Sequence, residues 1–136
     1  MIEYHNSLQG VDESKLAGFF VGWPKPPNPE TFRKILQGSS HIVLAIDEEA
    51  DGRVVGFINA ISDGVLACYL PLLEVLPEYQ GRGIGGELVK RMHHLLKGFY
   101  MVDLVCDEDL VPFYEKFGFV KFRAMAYRNY DRQAGL

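Results

Sequence analysis

Four glycines fall within six positions, Gly81, Gly83, Gly85 and Gly86, and only Arg82 and Ile84 stand between them. Glycine has no Cβ, so this density reads as close approach of backbone to a ligand and not as packing. A helical pattern opens at Gly83, so the loop amides also carry the partial positive charge of a helix N-terminus. A phosphate or pyrophosphate is the expected guest. Just upstream, Leu73-Glu74-Val75-Leu76 reads as the end of a strand. A carboxylate among Leu and Val there is out of pattern unless it meets a polar cavity or an exposed edge.

Three phosphate-binding patterns compete for the loop. A P-loop requires Lys and Ser or Thr after its last glycine, and Glu87 and Leu88 follow Gly86 instead. The dinucleotide spacing G-x-G-x-x-G is met by Gly81, Gly83 and Gly86, with Asp107 about 20 residues on. That pattern belongs to an early strand followed by further βαβ units. Here it follows the fourth strand, Pro77 to Gln80 intervene, and one βαβ unit fits. The third pattern, Q/R-x-x-G-x-G/A, is met by Gln80-Gly81-Arg82-Gly83-Ile84-Gly85.

The elements that must hold this loop follow from periodicity. Met1–His5 reads as a strand and Asp12–Phe20 as a helix capped by Asp12. Val21 to Pro29 is a proline-dense connector, whose Trp23 is either a packing anchor or a pocket wall. Pro29–Gln37 forms a second helix, ended by Gly38. His41–Asp47 and Arg53–Ser62 make a hairpin, and Val65–Leu76 a third long strand interrupted by Pro71, which predicts a bulge or an edge. A helix over Gly83–Lys97 leads to a strand over Tyr100–Cys106, parallel to Val65–Leu76. Leu110, Phe113, Tyr114 and Phe117 then mark a helix that Gly118 stops. Phe119–Phe122 and Arg123–Asn129 read as two closing strands, with a frayed polar tail after Tyr130. The expected class is α+β: one domain over residues 1–136, with a mostly antiparallel sheet, one parallel βαβ unit and helices on both faces.

With Leu-x-Val-x-Pro before the loop and Phe113-Tyr114-x-Lys116-x-Gly118-Phe119 after it, the chain resembles the GNAT superfamily of acetyl-CoA-dependent N-acetyltransferases. The resemblance is clearest from Val65 to Asn129. It implies that amides from Arg82 to Gly86, with Gln80, Gly81 and the Arg82 guanidinium, hold the pyrophosphate of CoA. Val75 and Leu76 would offer backbone groups to the pantetheine arm, and one of their N–H groups would polarise the thioester carbonyl. The strands Val65–Leu76 and Tyr100–Cys106 would splay to admit that arm. Tyr114 matches the position that often protonates the departing thiolate, and it also belongs to the apolar stripe of its helix. Glu74 is the candidate base, or else an edge residue. Tyr69 and Asp63 are weaker candidates for lining an amine site, and Asp107 serves equally as a helix cap.

Composition narrows the partners. A net charge of −4 argues against general nucleic-acid binding, and no apolar run approaches the roughly 20 residues of a membrane span. Cys68 and Cys106 sit in apolar runs as reduced thiols, and no histidine pair has metal spacing, so no metal is expected. The chain reads as cytoplasmic, and a homodimer through exposed strand edges is left open. The leading expectation is direct transfer of acetyl from acetyl-CoA to a primary amine of a small molecule or peptide, in a ternary complex. No cysteine lies in the loop or beside Tyr114 in sequence to carry an acyl-enzyme. A non-catalytic acyl-CoA sensor and a protein or aminoacyl-tRNA acetyltransferase are the alternatives.

Overall fold

The computed structural model describes all residues, Met1–Leu136. Six strands form one sheet: β1 (Ile2–His5), β2 (His41–Asp47), β3 (Arg53–Ser62), β4 (Ala67–Tyr69), β5 (Leu73–Val75) and β6 (Met101–Asp103). Their order is β1-β2-β3-β4-β6, with β5 also paired to β3. All pairs are antiparallel except β4 with β6. Three α-helices accompany them: α1 (Pro29–Gly38), α2 (Ile84–Leu95) and α3 (Val111–Glu115).

Alternation along β3 assigns the layers. A Cβ added at Gly56 would meet Ile84 and Leu88 of α2 at 3.2 and 3.3 Å. Its neighbour Phe57 points to the other face, against Phe32 of α1 with ring centroids 4.7 Å apart. Phe19 and Phe20 complete that aromatic cluster. The sheet is therefore sandwiched, with α2 on one face and α1 on the other, as the expected class requires.

The long third strand is broken as Pro71 predicts. Gly56–Ile58 pair with Leu73–Val75, and Ile61–Ser62 pair with Cys68–Tyr69, in registers that differ by one residue. Two residues of β3, Asn59 and Ala60, thus oppose three, Leu70 to Leu72, which is a bulge. Asn59 closes the defect. It is 1% exposed; its Oδ1 accepts from the Leu72 N–H at 3.1 Å and its Nδ2 donates to Ser39 Oγ at 3.0 Å. Its own N–H donates to the Leu72 carbonyl at 3.2 Å. Beyond the bulge β5 stays on β3 while β6 stays on β4, so the sheet opens into a notch between them.

Three expectations fail. Asp12–Phe20 contains a single 3-10 turn, Glu13–Lys15, although Asp12 does cap it through the Ser14 N–H. Gly18 at φ 94° and Phe20 at φ 63° both leave the right-handed helical region. Phe119–Phe122 and Arg123–Asn129 form no strands, because β propensity is realised only with a pairing partner and none lies alongside. The tail is not frayed: Gln133 Oε1 accepts from the Lys25 N–H at 2.8 Å, and Gly135 lies against Thr31.

Replacing Asn59 by Ala strands the Leu72 N–H in a dry site. The expected loss is about 1–3 kcal/mol in urea unfolding. A loss near zero would show that Asn59 does not hold the bulge.

Candidate active site

The site is built where β5 loses its neighbour. Leu76 donates its N–H to Val55 O at 2.8 Å, and Leu72 O accepts from Asn59, so alternate residues of this strand bond to β3. Leu73 and Val75, lying between them in parity, turn their N–H and C=O groups into the notch. The Val75 carbonyl accepts from Gln80 Nε2 at 3.0 Å, and its N–H remains open. The sequence offers Val75 and Leu76 equally for the pantetheine arm, and the structure separates them. Leu76 is buried, its N–H serves Val55, and its carbonyl accepts from Tyr79 at 2.9 Å.

The glycine loop continues from there. From Gly81 to Gly86, six consecutive N–H groups donate to nothing within the chain; the first bond of α2 runs from Glu87 N–H to Gly83 O. Unpaired amides at a helix start are an anion site in waiting. Gly81 and Gly83 have φ of 79° and 81°, and a Cβ on either would meet no protein atom within 4 Å. These two are glycines for backbone conformation and an open approach. Gly85 and Gly86 differ, and here packing does matter: a Cβ on Gly86 would come within 3.4 Å of the Phe117 ring, and one on Gly85 within 3.7 Å of Phe113 and 3.9 Å of Val75. Small residues at the start of α2 thus let α3 close over it.

The loop is anchored from behind. Arg82 donates to Glu78 O at 3.1 Å and stacks over the Tyr79 ring at 4.8 Å. The Tyr79 hydroxyl donates to Asp47 Oδ2 at 2.6 Å, a bond that raises the Tyr79 pKa and lowers that of Asp47. Arg53 pairs with Glu78 at 3.3 Å. The loop is thereby fastened to the β2–β3 hairpin.

Tyr114 stands on α3 between Phe113 and Phe119, with ring centroids 5.0 and 5.7 Å away. Burial first, and then the nearby Cys106 thiol, push its pKa up to about 12. The hydroxyl is therefore a proton carrier at neutral pH. Cys106, which the sequence does not associate with Tyr114, is brought beside it by the turn after β6.

Glu74 pairs with Phe57 across β5 and β3, so it faces the α1 side, opposite to Val75. Its two oxygens accept from the Phe20 N–H at 2.8 Å and the Val21 N–H at 3.2 Å. A carboxylate on the strand thus fastens the loop whose Phe20 carries a positive φ. Trp23 packs edge-on to Phe20 at 4.9 Å, as its anchor reading expects, and stays 38% exposed. Asp63, by contrast, is a turn residue: its Oδ1 accepts from the N–H groups of Val65, Leu66 and Ala67, which lowers its pKa. Asp107 sits at the cap of a 3-10 turn without a side-chain bond. Gln80 is read from its motif, whereas Asn59, which sets the notch, is missed in sequence; the signal that marks it is an amide inside the apolar run of β3.

The sequence model of the acetyltransferase (GNAT) family matches residues 8–119. The uncharacterized N-acetyltransferase ycf52 of Pyropia yezoensis is 30% identical over 105 residues, which are 74% of this chain and 59% of that protein. The chain thus spans under two thirds of that relative's length. Glucosamine 6-phosphate N-acetyltransferase 1 of Oryza sativa is 30% identical over 112 residues, 72% of this chain and 68% of that protein. A crystal structure from Deinococcus radiodurans R1, described as an acetyltransferase, is 49% identical with a TM-score of 0.95, covering 99% of this chain and 93% of the other. The open amides before α2, the notch beside β5 and these likenesses agree: the chain belongs to the GNAT acetyltransferase family.

Proposed function

We propose that the chain transfers an acetyl group from acetyl-CoA to a primary amine of a small molecule, by direct attack in a ternary complex. The observation that carries this reading is the run of six free N–H groups from Gly81 to Gly86, continuous with the open edge of β5. A pyrophosphate meets the amides, and an extended amide-bearing arm lies along the outward groups of Leu73 and Val75 as a missing strand would, with its thioester oxygen at the Val75 N–H.

The chemistry divides among three residues. The Val75 N–H donates to the thioester oxygen and stabilises the charge that develops when the amine nitrogen bonds to the carbonyl carbon. As the C–S bond breaks, Tyr114 gives its phenolic proton to sulfur. Glu74 receives a proton from the amine nitrogen, and its bonds to Phe20 and Val21 tie that acceptor to the wall of the amine site. Arrangement of the two substrates side by side supplies much of the rate. An amino sugar is one acceptor of the right class, supported by the likeness to the rice enzyme named for glucosamine 6-phosphate.

Acetyl-CoA at about a hundredfold excess over its Kd should raise the melting temperature by roughly 5 °C or more. Gly83→Glu, which puts a carboxylate among the amides, should abolish that shift; a Gly83→Glu protein that still responds places the anion site elsewhere. Tyr114→Phe should lower kcat about 100-fold and spare CoA affinity. Because burial keeps the phenol protonated, the ratio of wild-type to Tyr114→Phe rates should be flat from about pH 7 to 9. A ratio that falls as pH rises in that window contradicts a pKa near 12. Glu74→Gln should cut kcat/KM for amines about 100-fold, least at high pH where free amine is abundant. An unchanged kcat/KM with a lowered melting temperature would reduce Glu74 to a loop fastener.

A further inference from the structure

The segment after α3 is a nine-residue span with nothing beneath it. From Val120 to Arg128 no backbone N–H or C=O pairs with another backbone group. Phe122 is 82%, Met125 100% and Tyr127 90% exposed. Yet the span is held at both ends. Phe119 packs on His93 and Tyr114, with ring centroids 5.0 and 5.7 Å away, and Gln133 is bonded to Lys25 beside α1. The one side-chain tie between the ends and the body is Lys121 to Glu108 at 2.7 Å. A span so fixed, apolar and unpaired is stable only against another surface.

The same molecule offers that surface. Strand β6 is an edge: the Met101 N–H donates to Leu66 O at 3.0 Å and Asp103 O accepts from Leu70 at 2.9 Å, so these residues face β4. By alternation Val102 and Leu104 turn their N–H and C=O groups to the empty side. Tyr100 and Val105 are exposed along that edge. Beneath it lies a cleft of about 300 Å³ lined by His93, Phe99, Tyr100, Val102 and Phe119. Charge also matches. Outside the Lys121–Glu108 pair, the edge and the turn after it carry Asp103, Asp107 and Asp109, while the span carries Arg123 and Arg128.

We propose that two copies of this chain associate through a two-fold axis, each laying residues 120–128 along the open β6 edge of the other. Antiparallel or parallel addition pairs the span with Val102 and Leu104. In either direction, alternation sends Val120, Phe122, Ala124 and Ala126 to one face, and the cleft receives Phe122. Arg123 and Arg128 of the span meet the acidic turn of the partner.

Sedimentation equilibrium of the full chain at tens of micromolar should give about twice 15.4 kDa; a mass of one chain overturns the proposal. Phe122→Asp with Met125→Asp should weaken the dimer about 30-fold or more, and an unchanged Kd assigns the interface elsewhere. Hydrogen exchange on the unaltered protein decides the case if that variant does not fold. The Val102 and Leu104 amides should lose protection on dilution below the Kd, whereas protection independent of concentration means the span closes on its own sheet.

Discussion

A single buried amide governs the shape of this molecule. Asn59 occupies a β3 position that alternation and neighbours would assign to an aliphatic residue. Instead it supplies the hydrogen bonds that an extra residue in the facing strand would otherwise lack. Buried polar groups are tolerated only when paired, so the Asn59–Leu72–Ser39 network and the bulge require each other. Without the bulge, β4 and β5 would form one continuous strand beside β6. The notch would close, and the outward groups of Val75 would be spent on a neighbouring strand.

The glycine loop and the wall on the α1 side differ in how they are held. The glycine loop is braced by Arg82 on Glu78, by Tyr79 on Asp47 and by Gln80 on Val75. These contacts come from backbone and neighbouring loops, and they order the amides before any ligand arrives, which lowers the entropy lost on binding. The opposite wall is held by a carboxylate and by aromatic packing. Glu74 holds Phe20 and Val21, and aromatic edges hold the Phe20 and Trp23 rings.

The sequence was most informative where a residue type forces a conformation. Pro71 announced the bulge, Pro29 the start of α1, and the glycines the start of α2. The near-continuous apolar runs of β2 and β3 were readable because both faces are buried and β-branched residues are frequent in them. It was least informative where structure depends on contacts distant in the chain. Phe20 at positive φ reads as one more apolar residue of a helix, and only the Glu74 carboxylate 54 residues away explains its place. Likewise the span after Phe119 has strand-forming side chains, but a strand needs a partner and composition does not supply one. Tyr114 was legible as a candidate through its motif; its proximity to Cys106 depended on where two loops meet.

Glu74 and Val75 are adjacent in the chain and face opposite sides of one strand. The carboxylate side chain looks toward α1 and the proposed amine wall, while the Val75 backbone serves the notch and its side chain meets Gly85 of α2. Substitutions on the first face need not disturb the second, because alternation insulates them. Under the proposed roles, heredity can therefore rewrite the amine wall while the notch is inherited intact, and a single strand of three residues is enough to keep the two histories apart.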